Sequence, residues 1–160
     1  MIDFTKSKQY TLSIRLSTDG FSFSIYNPIH DNSLSTIEKE TDTSLSLTAN
    51  LKATFRESDF LNHSYKRVNI MMADKRFTIV PLELFEEEQA ELLFYHNHQK
   101  RENETVICNI LKKNNVAIIF GMDKSAHTFL SEQYPEAHFY SQSTPLIDYF
   151  SVKSRLGNSK

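Results

Sequence analysis

The stretch of sequence that decides the fold is YTLSIRLSTDGFSFSIYN, residues 10–27. Apolar residues alternate with polar ones on both sides of Asp19-Gly20. A period of two residues is typical of strands with one buried face. Asp-Gly between two such runs is a strong hairpin signal, because both turn residues must tolerate a positive φ. The stretch therefore predicts an antiparallel β-hairpin.

A two-residue loop at Asp19-Gly20 sets the register of this hairpin. It places Leu16 opposite Phe23 on an apolar face and Arg15 opposite Ser24 on a polar face. An antiparallel pair with a single buried side needs this division into two faces. The polar face then carries a candidate ligand-binding set composed of Ser13, Arg15, Ser17, Ser22 and Ser24.

The rest of the chain mixes strand and helix patterns. Leu47, Leu51 and Phe55 repeat at helical spacing, whereas the run VAIIF at 116–120 is apolar throughout and indicates a strand buried on both faces. The elements predicted after the first hairpin are a strand at 33–41, a helix at 43–61, a hairpin at 66–80 turning at Asp74-Lys75, a helix at 81–96, a strand pair at 105–111 and 116–121, a helix at 123–133, a strand at 137–141 and a final helix from Thr144-Pro145.

Length and composition restrict the class of protein. The 160 residues, with a mass of 18.6 kDa, suit one domain. A net charge of −2 offers no basic excess for nucleic acid, and no apolar run approaches the ~20 residues that cross a bilayer. With three glycines, the chain has no GxxxxGKS or GxGxxG phosphate loop. The N-terminal residues lack the pattern of a secretory signal, so the cytoplasm is the expected compartment.

The order of elements predicts a mixed α/β fold. Strands come in adjacent pairs rather than in βαβ units, so we expect consecutive antiparallel hairpins with flanking helices. No clear linker divides residues 1–160, which we expect to form a single lobe. The charged loop at 102–104 is the best boundary between two subdomains, 1–100 and 101–160.

Three runs carry a resemblance: LSIRLSTDGFSFSIYN at 12–27, FTIVPLELFEEEQAE at 77–91 and PEAHFYSQSTPLIDYF at 135–150. Together they resemble an uncharacterised bacterial family, a domain of unknown function with an actin-like (ribonuclease H-like) fold. The resemblance implies a distant relationship to the actin homologues of pilus assembly and cell division. It also implies that this chain is the first of two lobes and that the second lobe is absent.

The resemblance does not extend to the ATPase chemistry. Actin-like ATPases similar to this pattern carry a run like I-D-x-G late in the first strand. There the Asp organises water around Mg²⁺ and the Gly admits phosphate. Here the run is IRLS, so Arg15 stands at the Asp position and Ser17 at the Gly position. Arginine has no carboxylate to coordinate Mg²⁺, so we predict a pseudo-ATPase with no catalytic residues and no cofactor.

Two functions follow from these observations. The first is a non-catalytic scaffold or interaction protein on a degenerate nucleotide-binding fold, with a protein partner or self-association through an exposed lobe interface. The alternative is a nucleotide- or phosphate-binding module, or an enzyme, with its site in a cleft between two lobes. Arg15 and the hydroxyl face would then hold the ligand, since a guanidinium suits phosphate and carboxylate. The missing Asp favours the first function.

Metal binding is not expected from the sequence. His96-x-His98 would need an extended backbone, because residues two apart point to different sides of a helix, and no carboxylate completes the set. Cys108 is the single cysteine, which excludes an intrachain disulfide and a cysteine-based zinc site. Its place in the run VICNI predicts a buried small hydrophobe rather than a nucleophile.

Overall fold

The computed structural model describes residues 3–28 and 33–144. The chain divides into two compact units. The first comprises Met1–Met72 with Asp123–Phe139, and the second comprises Ala73–Met122 with Tyr140–Lys160. The charged loop near 102–104 lies inside the second unit, so the boundary expected after residue 100 does not coincide with this division.

The elements follow the mixed α/β order that the sequence predicts. Short 3-10 turns occur between several of them. The strands and α-helices, in chain order, are β1 (Thr11–Leu16), β2 (Gly20–Asn27), β3 (Ser33–Glu40), α1 (Leu47–Glu57), β4 (Arg67–Met72), β5 (Phe77–Pro81), α2 (Ala90–Asn97), β6 (Glu104–Leu111), β7 (Val116–Asp123), α3 (Lys124–Gln133) and β8 (His138–Ser141).

The first unit is built on a five-stranded sheet of order β3-β2-β1-β4-β8. β1 pairs antiparallel with β2 and parallel with β4, and β2 pairs antiparallel with β3. On one face of β1 the side chains of Leu12, Ile14 and Leu16 are at most 1% exposed. Burial of each such side chain contributes roughly 1.5–3 kcal/mol, so this face forms a large part of the core of the unit.

Two capped helices complete the first unit. The Ser46 hydroxyl accepts the Ala49 N–H at 3.1 Å, so α1 begins after Ser46 and not at residue 43, where the predicted helix begins. The Asp123 carboxylate accepts the Ala126 N–H at 2.9 Å and starts α3. A side-chain oxygen at each N-cap satisfies one of the N–H groups that the first turn leaves unpaired. Asp123 also accepts a hydrogen bond from Thr48 at 3.4 Å, which links the beginnings of the two helices.

The first hairpin is confirmed, but its register differs from the predicted one by two residues. Leu16 lies opposite Phe21 rather than Phe23, and Arg15 lies opposite Ser22. Because the shift is an even number of residues, each side chain stays on its predicted face. The apolar and polar faces are therefore those that the sequence predicts.

The turn of this hairpin explains the shift. Ser17 donates to the Gly20 carbonyl from its main-chain N–H (3.0 Å) and from its hydroxyl (2.8 Å), so the turn residues are Thr18 and Asp19. Gly20 opens β2 without a positive φ. Glycine is needed there for a different reason, because a Cβ would lie 2.7 Å from the Lys39 carbonyl oxygen on β3.

The second unit is built on a three-stranded sheet of order β5-β7-β6, in which β5 pairs antiparallel with β7. β6 and β7 are neighbours, as predicted. β7 is buried on both faces, also as predicted, since residues 117–120 are at most 1% exposed. Ala90 and Phe94 of α2 pack into a core cluster with Val80 and Ile119.

Two predictions around this unit are wrong. β4 and β5 do not form a hairpin at Asp74-Lys75, because β4 pairs with β1 in one sheet and β5 pairs with β7 in the other. The helix expected over 81–96 is α-helical only in α2, since 3-10 turns at Leu82–Leu84 and Glu87–Gln89 precede it. Beyond Thr144, the final predicted helix lies outside the described residues.

Gly20→Ala is expected to destabilise the first unit. The added Cβ would meet the Lys39 carbonyl oxygen at 2.7 Å, so β2 or the edge strand β3 must shift. Overpacking of this kind costs roughly 1–3 kcal/mol. Urea unfolding followed by circular dichroism measures the effect, with Ser24→Ala on the same strand as the control. Equal unfolding midpoints for the two variants would contradict the prediction.

Candidate functional site

The polar face of the five-stranded sheet carries the residues that the sequence singles out. β1 and β2 bring Arg15 opposite Ser22, and Ser13 and Ser24 form the next pair on the same face. Arg15 is exposed, whereas the three serines are half-buried. Four of the five residues in the predicted set therefore lie together.

Ser17, the fifth residue of the set, is used differently. Its hydroxyl donates to the Gly20 carbonyl at 2.8 Å and accepts the Gly20 N–H at 3.2 Å. Both hydrogen bonds close the hairpin turn. The structure therefore assigns Ser17 to the end of β1 and does not group its hydroxyl with the side chain of Arg15.

The chemistry of this polar face follows from Arg15. A guanidinium carries five N–H donors and binds a phosphate or carboxylate through two of them at once. The paired serines add hydroxyl groups beside it. Glu38 on β3 lies opposite Ser22 and is exposed, so a carboxylate stands two strands from Arg15, roughly 10 Å away at the usual strand spacing. This arrangement can hold one small anionic group at Arg15.

A second candidate site lies between α1 and α3, and the sequence analysis does not single it out. A groove of about 450 Å³ is lined by Lys52 and Arg56 from α1 and by Phe129 and Gln133 from α3. Phe55 forms its floor and packs edge-on against Phe129, with ring centroids 5.1 Å apart. We call this feature the α1/α3 groove.

The α1/α3 groove is positively charged. Lys52 and Arg56 are four residues apart on α1 and share a helix face, and none of the lining residues is acidic. Within residues 3–28 and 33–144, neither cation has an ion-pair partner. Two like charges at this spacing destabilise the helix by roughly 0.2–0.5 kcal/mol. The sequence contains a weak indication that Lys52 is unpaired, because no acidic residue lies three or four positions away from it.

A larger groove of about 600 Å³ adjoins the first and is lined by residues 61–68 and 133–138. Tyr134 is buried in its wall and donates its hydroxyl to the Leu61 carbonyl at 2.6 Å. Burial raises the pKa of the Tyr134 phenol well above its usual range. The two grooves share Asn62 and Gln133.

A buried ion pair lies in the second unit, and sequence reasoning missed it. Arg76 donates from Nε and Nη2 to the two carboxylate oxygens of Glu104, both at 2.8 Å, and also to the Gln99 carbonyl. Its guanidinium lies 5.1 Å from the centroid of the Phe94 ring. Tyr95 donates to Glu104 at 2.9 Å. Because these groups satisfy one another, we interpret the cluster as structural.

The pKa of Glu104 is lowered by the groups around it. Burial raises the pKa, but the hydrogen bonds from Arg76 and Tyr95 outweigh burial and hold it below its ordinary value of 4.5. Gly121 makes room for the carboxylate, since a Cβ there would lie 2.7 Å from Glu104 Cδ. No local pattern connects Arg76 with Glu104, because they are 28 residues apart.

His98 and Cys108 pack against their neighbours, whereas His96 does not. His98 stacks on Phe94, and its Nε2 lies 3.0 Å from the Phe77 carbonyl oxygen. His96 is exposed at the end of α2. Cys108 is half-buried, and burial raises the pKa of its thiol. Among the described residues, no group of three or more His, Cys, Asp or Glu is placed to hold a metal ion.

Comparison with known proteins gives one family and a similar solved structure. A family model described as "Protein of unknown function (DUF3822)" matches residues 1–160. A crystal structure from Bacteroides thetaiotaomicron, described as a protein with actin-like ATPase fold and unknown function, is 81% identical with a TM-score of 0.92. The match covers 98% of this chain and 61% of that one. No curated protein matches. The predicted actin-like fold and the resemblance to a domain of unknown function are confirmed.

Arg76→Met is expected to destabilise the protein by roughly 3–5 kcal/mol, because it leaves the Glu104 carboxylate buried without its cation. The ion pair also predicts a pH dependence. The folded pKa of Glu104 lies below its unfolded value of about 4.5, so the pair stabilises fully above that pH and progressively less as the pH falls through the folded pKa.

Urea unfolding of the wild type and of Glu104→Gln between pH 7 and pH 3 measures this dependence. The stability advantage of the wild type should be greatest near neutral pH and should shrink below about pH 4.5. Glu104→Gln is the matched variant because it keeps the shape of the side chain and removes its charge. An advantage that stays constant over the whole range would contradict the assignment of the titration to Glu104.

Proposed function

We propose that this chain, which belongs to the DUF3822 family of proteins of unknown function, is a non-catalytic interaction or scaffold protein. Its fold is actin-like, and the nucleotide-binding function of that fold is degenerate in this chain. Folds of this kind host many unrelated activities, so the proposal rests on the residues of this chain. The description of the solved relative names a fold and no function.

The observation that carries the proposal is the side chain at Arg15. Resemblance to actin-like ATPases puts an Mg²⁺-organising Asp at this place, late in the first strand. This chain has an exposed arginine there, on the polar face of β1. Mg²⁺ takes oxygen ligands and is repelled by a cation. Ser17, at the place of the phosphate-admitting glycine, uses its hydroxyl in the turn.

The α1/α3 groove supports the proposal that this chain binds another protein. It combines two exposed cations, Lys52 and Arg56, with an aromatic floor at Phe55 and Phe129. Aromatic residues and arginine are enriched where proteins bind one another. Neither cation has an ion-pair partner among the described residues, so both can bind the carboxylates of an acidic partner.

A second candidate function is the binding of a phosphate-bearing ligand on the polar sheet face. The observation that favours it is the pairing of Arg15 with Ser22, next to the pair formed by Ser13 and Ser24. A cationic fork flanked by hydroxyl groups suits a phosphate without a metal ion. In this alternative a second lobe would complete the site as a cleft.

We also infer a bacterial, cytoplasmic protein. The solved relative comes from a bacterium, and the single cysteine of this chain, Cys108, is a free thiol, which suits a reducing compartment. As a separate finding, none of the helices within residues 3–28 and 33–144 is both long and apolar enough to cross a bilayer.

The wild-type chain is expected to release no phosphate from ATP above the buffer background when Mg²⁺ is present. Arg15→Asp is the matched variant, since it places a carboxylate where the ATPase pattern has one. Its affinity for Mg²⁺–ATP should exceed that of the wild type. Steady-state phosphate release and titration calorimetry measure the two properties. Turnover by the wild type that Arg15→Ala abolishes would overturn the non-catalytic proposal.

The second candidate function makes its own prediction. Inorganic phosphate or ADP should perturb the amide signals of Arg15 and Ser22 in a ¹H–¹⁵N spectrum, and the effect should weaken with salt. Arg15→Gln should abolish the perturbation, while Lys52→Gln, which removes a cation elsewhere on the unit, should preserve it. Perturbations that survive Arg15→Gln would rule out this site.

A further inference from the structure

We infer that the α1/α3 groove of one copy of this chain binds the acidic segment 81–92 of a second copy. The inference rests on the proposed interaction function and names the partner for it. In this contact, glutamate side chains of the segment pair with the lysine and arginine of the groove, and leucine side chains cover its aromatic rings. Each copy carries both surfaces, the groove on its first unit and the acidic segment on its second.

The acidic segment 81–92 concentrates negative charge on the surface of the second unit. It has five glutamates and no lysine, arginine or histidine. All five are exposed, and none forms an ion pair with another described residue. So many like charges in a short segment repel one another, and a cationic partner relieves that repulsion. The glutamates are Glu83, Glu86, Glu87, Glu88 and Glu91.

The same segment holds two leucines in solvent. Leu84 is 68% exposed and Leu92 is 72% exposed, the highest values among the large hydrophobic residues described. Ala90 and Phe94 are buried on one side of α2, so Leu92, midway between them, lies on the opposite side. Phe85 packs against the core of the unit as well. The segment is therefore anchored before binding, which lowers the entropy cost of association.

The α1/α3 groove has the complementary properties. Lys52 and Arg56 are exposed beside it and lack ion-pair partners among the described residues. Phe55 and Phe129 supply an apolar floor that a leucine side chain can cover. The groove, of about 450 Å³, is open to solvent, so a surface segment of another copy can reach it.

Charge complementarity indicates that the occupant of the groove is a second copy of this chain. The chain as a whole carries a net charge of only −2, yet it has one surface with two unneutralised cations and another with five unneutralised carboxylates. Opposite charges on two surfaces steer them together and set the register of the contact. Each surface thus meets its complement on any other copy of the chain.

Two copies can join through this contact once, head to tail, or twice, reciprocally about a two-fold axis. A reciprocal dimer fills both grooves, whereas a head-to-tail pair leaves one groove and one acidic segment unoccupied and can add further copies. In either arrangement self-association should increase as the concentration rises.

Reciprocal charge reversal tests the inference. K52E/R56E reverses the charge of the groove. E86K/E87K/E88K reverses the charge of the acidic segment, because three lysines then outnumber the two remaining glutamates. Sedimentation velocity over a concentration series at low salt should show self-association of the wild type, weakened at least about tenfold in each variant. An equimolar mixture of the two variants should associate again, because the reversed groove then meets the reversed segment and the unchanged groove meets the unchanged segment.

Two further variants separate the contact from general effects. K6E/K8E reverses two exposed lysines outside both surfaces and should associate as the wild type does. Leu92→Ala should weaken association without changing the unfolding midpoint, since that side chain is 72% exposed. Added salt should weaken association of the wild type, because exposed charges are screened.

Cross-linking identifies the atoms in contact. A carbodiimide condenses a carboxylate and an amine into an amide with loss of water. In a mixture of ¹⁴N- and ¹⁵N-labelled chains it should join Lys52 of one label to a glutamate between 83 and 91 of the other. Mass spectrometry distinguishes such peptides from links within one copy.

Three results would each overturn the inference: a strictly monomeric wild type, association that neither charge reversal weakens, or Lys52 cross-links that lead only to carboxylates outside the segment or within the same copy. None of them bears on ATP hydrolysis, by which the non-catalytic function is judged. Turnover of ATP would in turn overturn that function without altering the sedimentation result.

Discussion

The two-sided pairing of β1, antiparallel with β2 and parallel with β4, is the constraint on which the first unit depends. A strand in this central position has no free edge, so its side chains divide between the two faces of the sheet. Leu12, Ile14 and Leu16 take the buried face. Ser13 and Arg15 are left on the other. The alternation that builds the core thus also presents the arginine that distinguishes this chain from the ATPase pattern.

Some charged residues divide in a similar way between buried, paired positions and exposed, unpaired ones among the described residues. The ion pair of Arg76 and Glu104 is buried and fully hydrogen-bonded, as it must be, because a buried charge without a partner is strongly destabilising. On α1, burial of Phe55 leaves Lys52 and Arg56 on the exposed side of the helix. Such exposed charges contribute little to folding and are available for a partner.

Local patterns predicted what depends on neighbouring residues. The alternation over residues 10–27 predicted both strands of the first hairpin, their faces and the exposed position of Arg15. The observed register differs from the predicted one by two residues. The reason is that the Ser17 hydroxyl closes the turn, while Gly20 lies in β2, where β3 approaches it closely. The hairpin expected between β4 and β5 was wrong because adjacent strands often pair but need not.

The sequence by itself determined the period of each strand, the division of side chains between sheet faces, and the resemblance to an actin-like family. The first two depend on backbone geometry, which repeats every two residues in a strand whatever lies beyond it, and the resemblance depends on three short runs of residues. Only the tertiary structure decided that β4 pairs with β1, that Arg76 meets Glu104, and that residues of α1 and α3 line one basic groove. Each of these joins segments far apart in the chain, and pairing over such distances depends on which surfaces the whole unit must bury together.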